Sequence, residues 1–363
     1  MGRWLQHQTF RSSAKTNGWK LNPVTDMYSD KLIQFNAPWH ALKRVCVGST
    51  YGPKFYQDIR NNQVRDSLQQ ISSETQEDYQ NLVTVLQHLG VIVERIKIDP
   101  EISILDFVDH QGRLDYKASQ SFTLVPRPPM QPRDSVLIVG DQAILTNGEG
   151  DWFRELNNDN DYLISPKNFD APLVTVIGDR LIVDCRDHAW LADYLRSTFP
   201  EHDVRPVYIG GHNDAVFSVL APGVIVSTYH HTNYHDTFPG WAIKYVENQS
   251  WNAIPEWRQF KHGNHSRWWV PESMHNEDFA QFVSTWLNHW VGFVAESVFD
   301  VNMLQIDQNR VLVNNYNKEL FDFLDLHAIE PIIVPFRHRF FWDGGLHCIT
   351  NDLYREGDND CFF

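Results

Sequence analysis

Residues Val174–Asp184, VTVIGDRLIVD, place Gly178 and Asp179 between two runs of β-branched and aliphatic side chains. A Gly-Asp pair between two such runs is typical of a tight β-hairpin, because glycine readily adopts the positive φ angle that the turn requires. Residues Val136–Thr146, VLIVGDQAILT, repeat the pattern with the same Gly-Asp pair. The two stretches therefore predict two β-hairpins of the same kind in one chain.

Three further stretches resemble these hairpins, with turn residues of other kinds between their apolar runs. They are Arg44–Tyr51, Phe217–Thr228 and Val301–Asn314. Helices with an apolar stripe are predicted at Ser73–Leu89, with a capping box of Ser73 and Gln76, at Asp187–Phe199 and at Asn317–His327, and strands follow at Val91–Ile96, Arg205–Ile209 and Pro331–Pro335. Five similar ββαβ units predict an α/β fold in which the units form a closed circular array, each burying its face on its neighbours.

Two segments do not fit this repeat. Residues 1–35 are polar and irregular, which predicts an N-terminal surface arm before a single domain over residues 36–363. Residues 248–290 begin with a long stretch rich in Trp, His and Asn, and then continue as a helix that Asn276 caps. We expect this segment to be an insertion on the rim of the domain or a lid over a site.

The composition excludes several classes of protein. The 363 residues are 42% hydrophobic and carry a formal net charge of -15 without a basic run, so nucleic acid and anionic membranes are not expected partners. The four cysteines lack a CxxC or metal-ligand spacing, which predicts a reduced, cytoplasmic protein with Cys46 and Cys185 in the core. His230, His231 and His235 do not have a standard metal-site spacing, and we expect no metal and no cofactor.

Residue types that suit catalysis stand where the apolar strands begin. Asp134, Asp170, His212 and Asp214 each precede a predicted strand, and Cys348 follows two glycines in the stretch WDGGLHCITN. In a circular array of like units, such junctions converge on the axis. Two carboxylates can hold a planar guanidinium, a thiolate can attack its central carbon, and a histidine oriented by a third carboxylate can transfer protons. The alternative is a tight turn with a buried cysteine.

Five motifs in order make the chain similar to the amidinotransferases, a family of guanidino-group-modifying enzymes, from about Asn36 to Arg355. They are Asn36–Gly48 (NAPWHALKRVCVG), Pro132–Asp134 (PRD), Phe169–Ala171 (FDA), His212–Phe217 (HNDAVF) and Gly344–Cys348 (GGLHC). The resemblance implies a five-bladed α/β propeller with pseudo-fivefold symmetry and the site on its axis.

The resemblance also implies a reaction and a role for each residue. Cys348 would be the nucleophile, His212 the acid and base, and Asp170 its orienting partner, while Asp134 and Asp214 would hold the guanidinium. The amidino group of L-arginine would pass through a Cys-bound intermediate to an amine acceptor, with release of ornithine. His347, beside the nucleophile, is expected to hold the loop.

Three positions that would contact the ends of the substrates differ from the family pattern. His231 stands where the glycine-specific enzyme has a carboxylate-binding arginine, and Asp300 stands where a serine is usual. Arg337 or Arg339 is the candidate replacement for that arginine. Because histidine is a poor grip for a small amino acid's carboxylate, we expect an acceptor other than glycine.

Two other functions remain open from the sequence. A deiminase or dihydrolase on the same scaffold would use water as the acceptor, and a propeller without catalysis would serve as a binding protein. The second has no use for a cysteine among carboxylates. We expect arginine and an amine as small-molecule partners, with a homodimer as the candidate oligomer.

Overall fold

The computed structural model describes residues 31–107, 125–157, 161–228, 233–246, 276–287, 289–291 and 300–358. Residues 1–30 of the predicted arm over residues 1–35, and most of the predicted insertion or lid over residues 248–290, lie outside these ranges. At the end of the arm, Ile33 and Phe35 are buried, and the backbone amide of Gln34 donates to the carbonyl of Leu353 at 2.8 Å. From Ile33 onward, the chain is therefore packed against the rest of the domain.

Fifteen strands are present in the described residues, and they form five three-stranded sheets. The sheets, in strand order, are β15 (Thr350–Glu356), β1 (Ala41–Val47) and β2 (Ile92–Arg95); β3 (Val136–Val139), β4 (Gln142–Leu145) and β5 (Leu163–Ile164); β6 (Val174–Ile177), β7 (Arg180–Asp184) and β8 (Asp203–Val207); β9 (Phe217–Ala221), β10 (Val224–Ser227) and β11 (Ala242–Tyr245); and β12 (Leu304–Asp307), β13 (Arg310–Val313) and β14 (Glu330–Ile333). In each sheet the central strand has one antiparallel and one parallel neighbour.

A helix connects the central strand of each sheet to its parallel neighbour. Such a crossover is required because parallel strands cannot be joined by a tight turn. The helices are α1 (Asn62–His88), α2 (Asp151–Leu156), α3 (Leu191–Thr198), α4 (Tyr234–Thr237), α5 (Glu277–Trp286), α6 (Lys318–Leu326) and α7 (Arg339–Trp342), of which α1, α2, α3, α4 and α6 make the five crossovers. Each sheet with its helix is thus a ββαβ unit.

Four of the five predicted hairpins are confirmed, and the one predicted at Arg44–Tyr51 is wrong. The hairpins of β3 with β4, β6 with β7, β9 with β10, and β12 with β13 lie within the predicted stretches. Gly178 has a φ angle of +59° at the turn of the second, in the region that suits glycine. β1 instead takes its antiparallel partner from the other end of the chain, since Cys46 pairs with Asn351 and Val47 with Thr350.

The long helix α1 also corrects a prediction. It begins at Asn62, eleven residues before the predicted start at Ser73, so the capping box of Ser73 and Gln76 is wrong. The side chain of Asn61 caps the helix by accepting from the amides of Gln63 and Val64 at 3.0 and 3.3 Å. The extra turns are held because Val64, Leu68 and Ile71 are buried at helical spacing.

The helices predicted at Asp187–Phe199 and Asn317–His327 are present as α3 and α6, although α3 begins at Leu191, and the predicted cap at Asn276 is confirmed. Asn317 caps α6, and Asn276 caps α5 by accepting from the amide of Phe279 at 3.0 Å. α5 packs against α1, with Phe282 and Trp286 in the same buried cluster as Leu82 of α1. No helix in the described part of the chain has the length and apolar character needed to span a membrane.

The predicted α/β class is therefore confirmed, with five small sheets and crossover helices. The described strands form separate sheets, and they do not join into one closed sheet. The predicted propeller is a statement about how these five units are arranged, and it stays a prediction.

Candidate active site

Four equivalent places in the fold carry the predicted residues. Asp134 lies in the 3-10 turn before β3, Asp170 begins the turn before β6, and His212 begins the turn before β9, which contains Asp214. Cys348 lies in the loop that leads into β15. The contacts described below show that the structure brings all five side chains together.

His212 lies between two of the aspartates. Its Nε2 is 3.2 Å from Oδ2 of Asp170, and its Nδ1 is 3.9 Å from Oδ1 of Asp134. Burial alone would lower the pKa of His212, but the hydrogen bond with Asp170 and the charges of the neighbouring carboxylates outweigh it and raise the pKa to about 10. Asn147 supports both partners by donating to the Asp134 carbonyl at 3.1 Å and to Asp170 at 3.4 Å. His212 is therefore a protonated imidazolium at neutral pH.

Cys348 is buried, and its sulfur contacts two polar side chains. The thiol donates to Oδ2 of Asp214 at 3.6 Å, and Nδ2 of Asn302 donates to Sγ at 3.0 Å. Burial, together with the negative charges of Asp214 and Asp134, raises the pKa of Cys348 well above its usual value. In the unliganded protein the sulfur is thus a thiol, not a thiolate.

His347 contacts Asp214 as well. Its Nδ1 lies 2.7 Å from Oδ2 of Asp214, and this hydrogen bond outweighs burial and lowers the pKa of Asp214 to about 2. Burial and the nearby charge of Arg133 lower the pKa of His347, so this ring is neutral and donates from Nδ1. Arg133 also donates to the backbone carbonyl of His347 at 2.8 Å. His347 thus holds both the loop and the carboxylate.

Two buried carboxylate oxygens face this cluster without a donor. Oδ1 of Asp134 and Oδ1 of Asp214 have no hydrogen-bond partner within the described residues. A buried oxygen of this kind is costly unless a ligand or water supplies a proton, and functional sites are where such atoms are found. A cation with several N–H groups in one plane would satisfy both oxygens.

The two glycines before Cys348 are explained by close contacts. A Cβ on Gly345 would lie 2.7 Å from Cβ of Asn302, and one on Gly344 would overlap the side-chain amide of Gln131. Asp343, which ends α7 with a φ angle of +50°, turns the chain into this loop. Gly345 therefore lets the loop pass directly over Asn302, and Gly344 lets it pass close to Gln131.

The residues predicted for the substrate ends lie in different places. His231 and its neighbour His230 are outside the described residues. Asp300 is buried and interacts with the charge of Arg339. Arg337 contacts two carboxylates of α1, Asp78 and Glu77, each at 2.8 Å, so a substrate carboxylate would have to compete with them.

Two residues of the cluster have contacts that the sequence did not reveal. Asn302 lies just before β12, and its contact with Cys348, 46 residues away in the sequence, has no local signal. Asn147 follows β4 directly, at a place equivalent to the other junctions. In the sequence, the position of Asn147 directly after the predicted hairpin Val136–Thr146 is the signal that it lies near the other junction residues.

No model of a protein family matches the chain. Among curated proteins, it is similar to the mitochondrial glycine amidinotransferases of Danio rerio and Xenopus laevis, with 23% identity over 179 residues. This match covers 48% of the chain and 34% of each relative, so the chain spans about a third of the length of the curated relatives it matches.

Solved structures match over nearly the whole chain. SxtG, an amidinotransferase from Microseira wollei in the saxitoxin biosynthetic pathway, has a TM-score of 0.63 at 16% identity, covering 91% of this chain and 99% of its own. Inosamine-phosphate amidinotransferase from Streptomyces griseus has a TM-score of 0.61 at 18% identity, with coverages of 90% and 98%. A dimethylarginine dimethylaminohydrolase has a TM-score of 0.52 at 11% identity, with coverages of 85% and 98%.

The chain therefore has the α/β fold that amidinotransferases share with dimethylarginine dimethylaminohydrolase. Within that fold class, the resemblance to the amidinotransferases that the motifs predict is confirmed, by sequence similarity to the glycine amidinotransferases and by the fold of two other amidinotransferases.

Proposed function

We propose that this protein is an amidinotransferase that moves the amidino group of L-arginine to an amine acceptor through an intermediate on Cys348. The observation that carries the proposal is the arrangement of a buried thiol near two carboxylates, each with one buried oxygen that lacks a donor among the described residues. A guanidinium supplies paired N–H donors in one plane, which suits two carboxylates on either side of it.

Binding of the donor would also activate the nucleophile. The carboxylates of Asp214 and Asp134 help to raise the pKa of the Cys348 thiol. A guanidinium bound between them brings a positive charge close to the sulfur. This charge stabilises the thiolate and so lowers the pKa of Cys348. The thiol would thus lose its proton to solvent when arginine binds, and the unliganded enzyme would stay protected from adventitious reaction.

The chemistry then proceeds in two half-reactions. The thiolate attacks the central guanidino carbon of arginine, and a bond forms between sulfur and that carbon. The bond from that carbon to Nε of arginine breaks while protonated His212 gives its proton to this nitrogen. The nitrogen becomes the δ-amino group of ornithine, which is released. An amine then attacks the amidino carbon and gives a proton to His212, and the carbon–sulfur bond breaks to return the thiolate.

Asp170 would orient His212 during both half-reactions. Its Oδ2 lies 3.2 Å from Nε2 of His212, which leaves Nδ1, on the side of Asp134, for the reacting groups. Against the effect of its partial burial, the hydrogen bond with His212 lowers the pKa of Asp170. The carboxylate therefore stays ionised and stabilises the imidazolium.

We further infer that the five units are arranged around the site as blades of a propeller. The support is that β15, from the end of the chain, completes the first sheet against β1, and that the turns before β3, β6 and β9 meet at one cluster. Such a ring needs the last unit to contact the first. The pairing of β15 with β1 is compatible with that closure.

A hydrolase on the same fold is the second candidate. The favouring observation is the fold likeness to dimethylarginine dimethylaminohydrolase. Transfer and hydrolysis share the first half-reaction, so they differ in whether an amine or water reaches the intermediate. The sequence similarity to the glycine amidinotransferases favours the transferase.

One experiment tests the proposal in both half-reactions. The protein is incubated with arginine, and intact-mass and peptide mass spectrometry are used to find an added amidino group on Cys348. Products are then measured with glycine, lysine, a diamine, an amino sugar or no added amine. We expect an adduct that Cys348→Ala abolishes, ornithine release that an amine other than glycine accelerates, and little citrulline.

Other results would contradict parts of the proposal separately. An adduct on Cys46 or Cys185 would overturn the assignment of the nucleophile. Citrulline as the main product, whatever amine is present, would assign the protein to the hydrolases. Glycine as the best acceptor would overturn the expectation that His231 supports. The absence of ornithine, citrulline and adduct would leave a binding protein as the remaining function.

A further inference from the structure

Asn302 makes four polar contacts that connect three separate parts of the site. The residue lies just before β12 and is fully buried. Its Oδ1 accepts from the backbone amides of His347 and Cys348, each at 3.0 Å. Its Nδ2 donates to the carbonyl of Asp214 at 3.1 Å and to Sγ of Cys348 at 3.0 Å. The side chain has two acceptor sites and two donor protons, and all four are used.

The orientation of this amide follows from its backbone partners. Two N–H groups require an oxygen at one end of the side chain, and a backbone carbonyl requires the NH₂ group at the other end. With one NH₂ proton on the carbonyl of Asp214, the other proton points at Sγ of Cys348. The sulfur therefore receives a hydrogen bond from Asn302 in every protonation state, whereas its own proton, when present, goes to Asp214.

We propose that Asn302 is a catalytic residue that stabilises the Cys348 thiolate by a hydrogen bond from its side-chain amide. The proposal adds a residue to the proposed function and rests on it, because the thiolate is the nucleophile only in that reaction. A donor that contacts sulfur favours the anion over the thiol, because a hydrogen bond to a charged acceptor is stronger than one to a neutral acceptor.

The same bond acts in both half-reactions. In the first, it increases the fraction of sulfur that is ionised when arginine is bound. In the second, Cys348 leaves as a thiolate when the acceptor amine attacks, and the donor is already in place for the returning charge. Since Oδ1 of Asn302 also holds the amides of His347 and Cys348, the sulfur needs no movement of the loop to meet its donor.

The test measures the thiol without any substrate, so that it does not depend on turnover. Alkylation of Cys348 by iodoacetamide is followed by peptide mass spectrometry at pH 8 in the unmodified protein and in Asn302→Ala. Below the pKa of the thiol, the rate follows the thiolate fraction. Loss of a hydrogen bond to a charged group lowers that fraction at least about tenfold. Since a more basic thiolate is also more nucleophilic, we expect alkylation to slow at least about threefold.

Two further variants keep the test decisive. Asn302→Leu has nearly the shape of the native side chain, adds no charge and has no NH₂ group for sulfur, and we expect slower alkylation in this variant too. Asn351→Ala is the matched control, because Asn351 is an equally buried amide that donates to the carbonyls of Pro132 and Val136. This control should be alkylated at the unmodified rate. Circular dichroism and thermal melts show which variants are folded.

The outcomes separate this proposal from the proposed function. Slower alkylation in folded Asn302→Ala or Asn302→Leu, with Asn351→Ala unchanged, supports the hydrogen bond to the thiolate even if arginine is not a substrate. Unchanged or faster alkylation in both Asn302 variants overturns it, even if arginine forms the adduct. An equal decrease in Asn351→Ala would also overturn it, because the effect would then come from general loosening of the site.

Discussion

At the scale of single residues, the pKa values of two aspartates of the site are shifted in opposite directions. Asp214 receives a hydrogen bond from His347, and its pKa falls to about 2. Asp134 lacks such a partner within the described residues, and burial raises its pKa to about 7 in spite of the charges of His212 and Arg127. At neutral pH the first carboxylate is therefore ionised, and the second is poised between its two forms.

Under the proposed function, the guanidinium of the donor requires Asp134 as a carboxylate, so binding of the donor should depend on pH. The protonated form predominates below about pH 7 and the ionised form above it, which means that kcat/KM for arginine should rise as the pH rises through 7. Asp134→Asn should remove this rise and weaken the donor by about 1.5–3 kcal/mol, the value of a hydrogen bond to a charged group. Steady-state kinetics from pH 5 to 9 would be the measurement, roughly the range over which the group titrates.

Asp170→Asn provides the contrast for this variant. Asp170 contacts His212 and is half-exposed, and its lowered pKa keeps it ionised throughout the same range. Its loss should reduce kcat by orders of magnitude while KM changes little, as the loss of an orienting carboxylate does in a catalytic triad. Equal changes of kcat and KM in both variants would show that binding and orientation are not divided between the two aspartates.

At the scale of elements, the loop that presents His212 is held by one carboxylate. Asp184, at the end of β7, is buried and accepts from the amides of Arg186, Ile209, Gly210 and Gly211 at 2.7 to 3.1 Å. Gly210 has a φ angle of +83°, and a Cβ there would lie 2.7 Å from the Arg186 side chain. The carboxylate and the glycine together fix the path of the chain into His212.

Asp184→Ala should therefore disturb catalysis without touching a substrate. Four backbone donors would lose a charged acceptor, and a hydrogen bond to a charged group is worth about 1.5–3 kcal/mol, so we expect a stability loss of at least about 2 kcal/mol. kcat should fall more than KM rises, since His212 would lose its fixed position. Urea unfolding and steady-state kinetics check the two effects.

The control is Asp193→Ala, which removes an exposed ion pair with Arg196 on α3. Its effect on stability should stay below about 1 kcal/mol, and its kinetics should be unchanged. A fall in kcat of the same size in both variants would show that Asp184 has no specific part in holding the His212 loop.

Sequence patterns predicted the local elements well and the distant contacts less completely. The four confirmed hairpins and the cap at Asn276 depend on residues within a few positions of each other. The partner of β1 lies about 300 residues away, and no local pattern around Arg44–Tyr51 encodes it. The proximity of the five predicted residues could be expected because equivalent junctions of a repeat meet, whereas the contact of Asn302 with sulfur depends on the detailed path of two loops.

At the scale of the whole molecule, buried charges connect the two ends of the folded part. Arg355 on β15 is fully buried and donates to the carbonyls of His40 and Gln305, each at 2.6 Å, and to Asp352 at 2.9 Å. Asp352 also accepts from Arg133 at 2.8 Å. The carboxylate therefore neutralises two guanidinium groups, and their charges hold its pKa far below the usual value despite its burial.

Removal of this carboxylate should destabilise the protein more than any surface ion pair does. Asp352→Asn leaves Arg133 and Arg355 with buried positive charges, and breaking a buried pair typically costs about 3–5 kcal/mol. Because the pKa of Asp352 is lowered on folding, its stabilising effect should be fully present above the ordinary pKa of an aspartate and be lost as the pH falls below it. Guanidinium chloride unfolding at neutral and acidic pH would measure both effects.

The exposed pair of Lys318 and Asp322 on α6 is the matched control, with N and O 2.5 Å apart and both side chains largely in solvent. Asp322→Asn should cost less than about 1 kcal/mol. A similar small cost for Asp352→Asn would show that water or local rearrangement compensates the two arginines. A large loss in the free energy of unfolding that disappears in acid would instead show that the ionised carboxylate of Asp352 is stabilising. It would then stabilise the contacts of β15 with β1 and with the Pro132–Ser135 turn. Through Arg133 it would also stabilise the loop that carries Cys348.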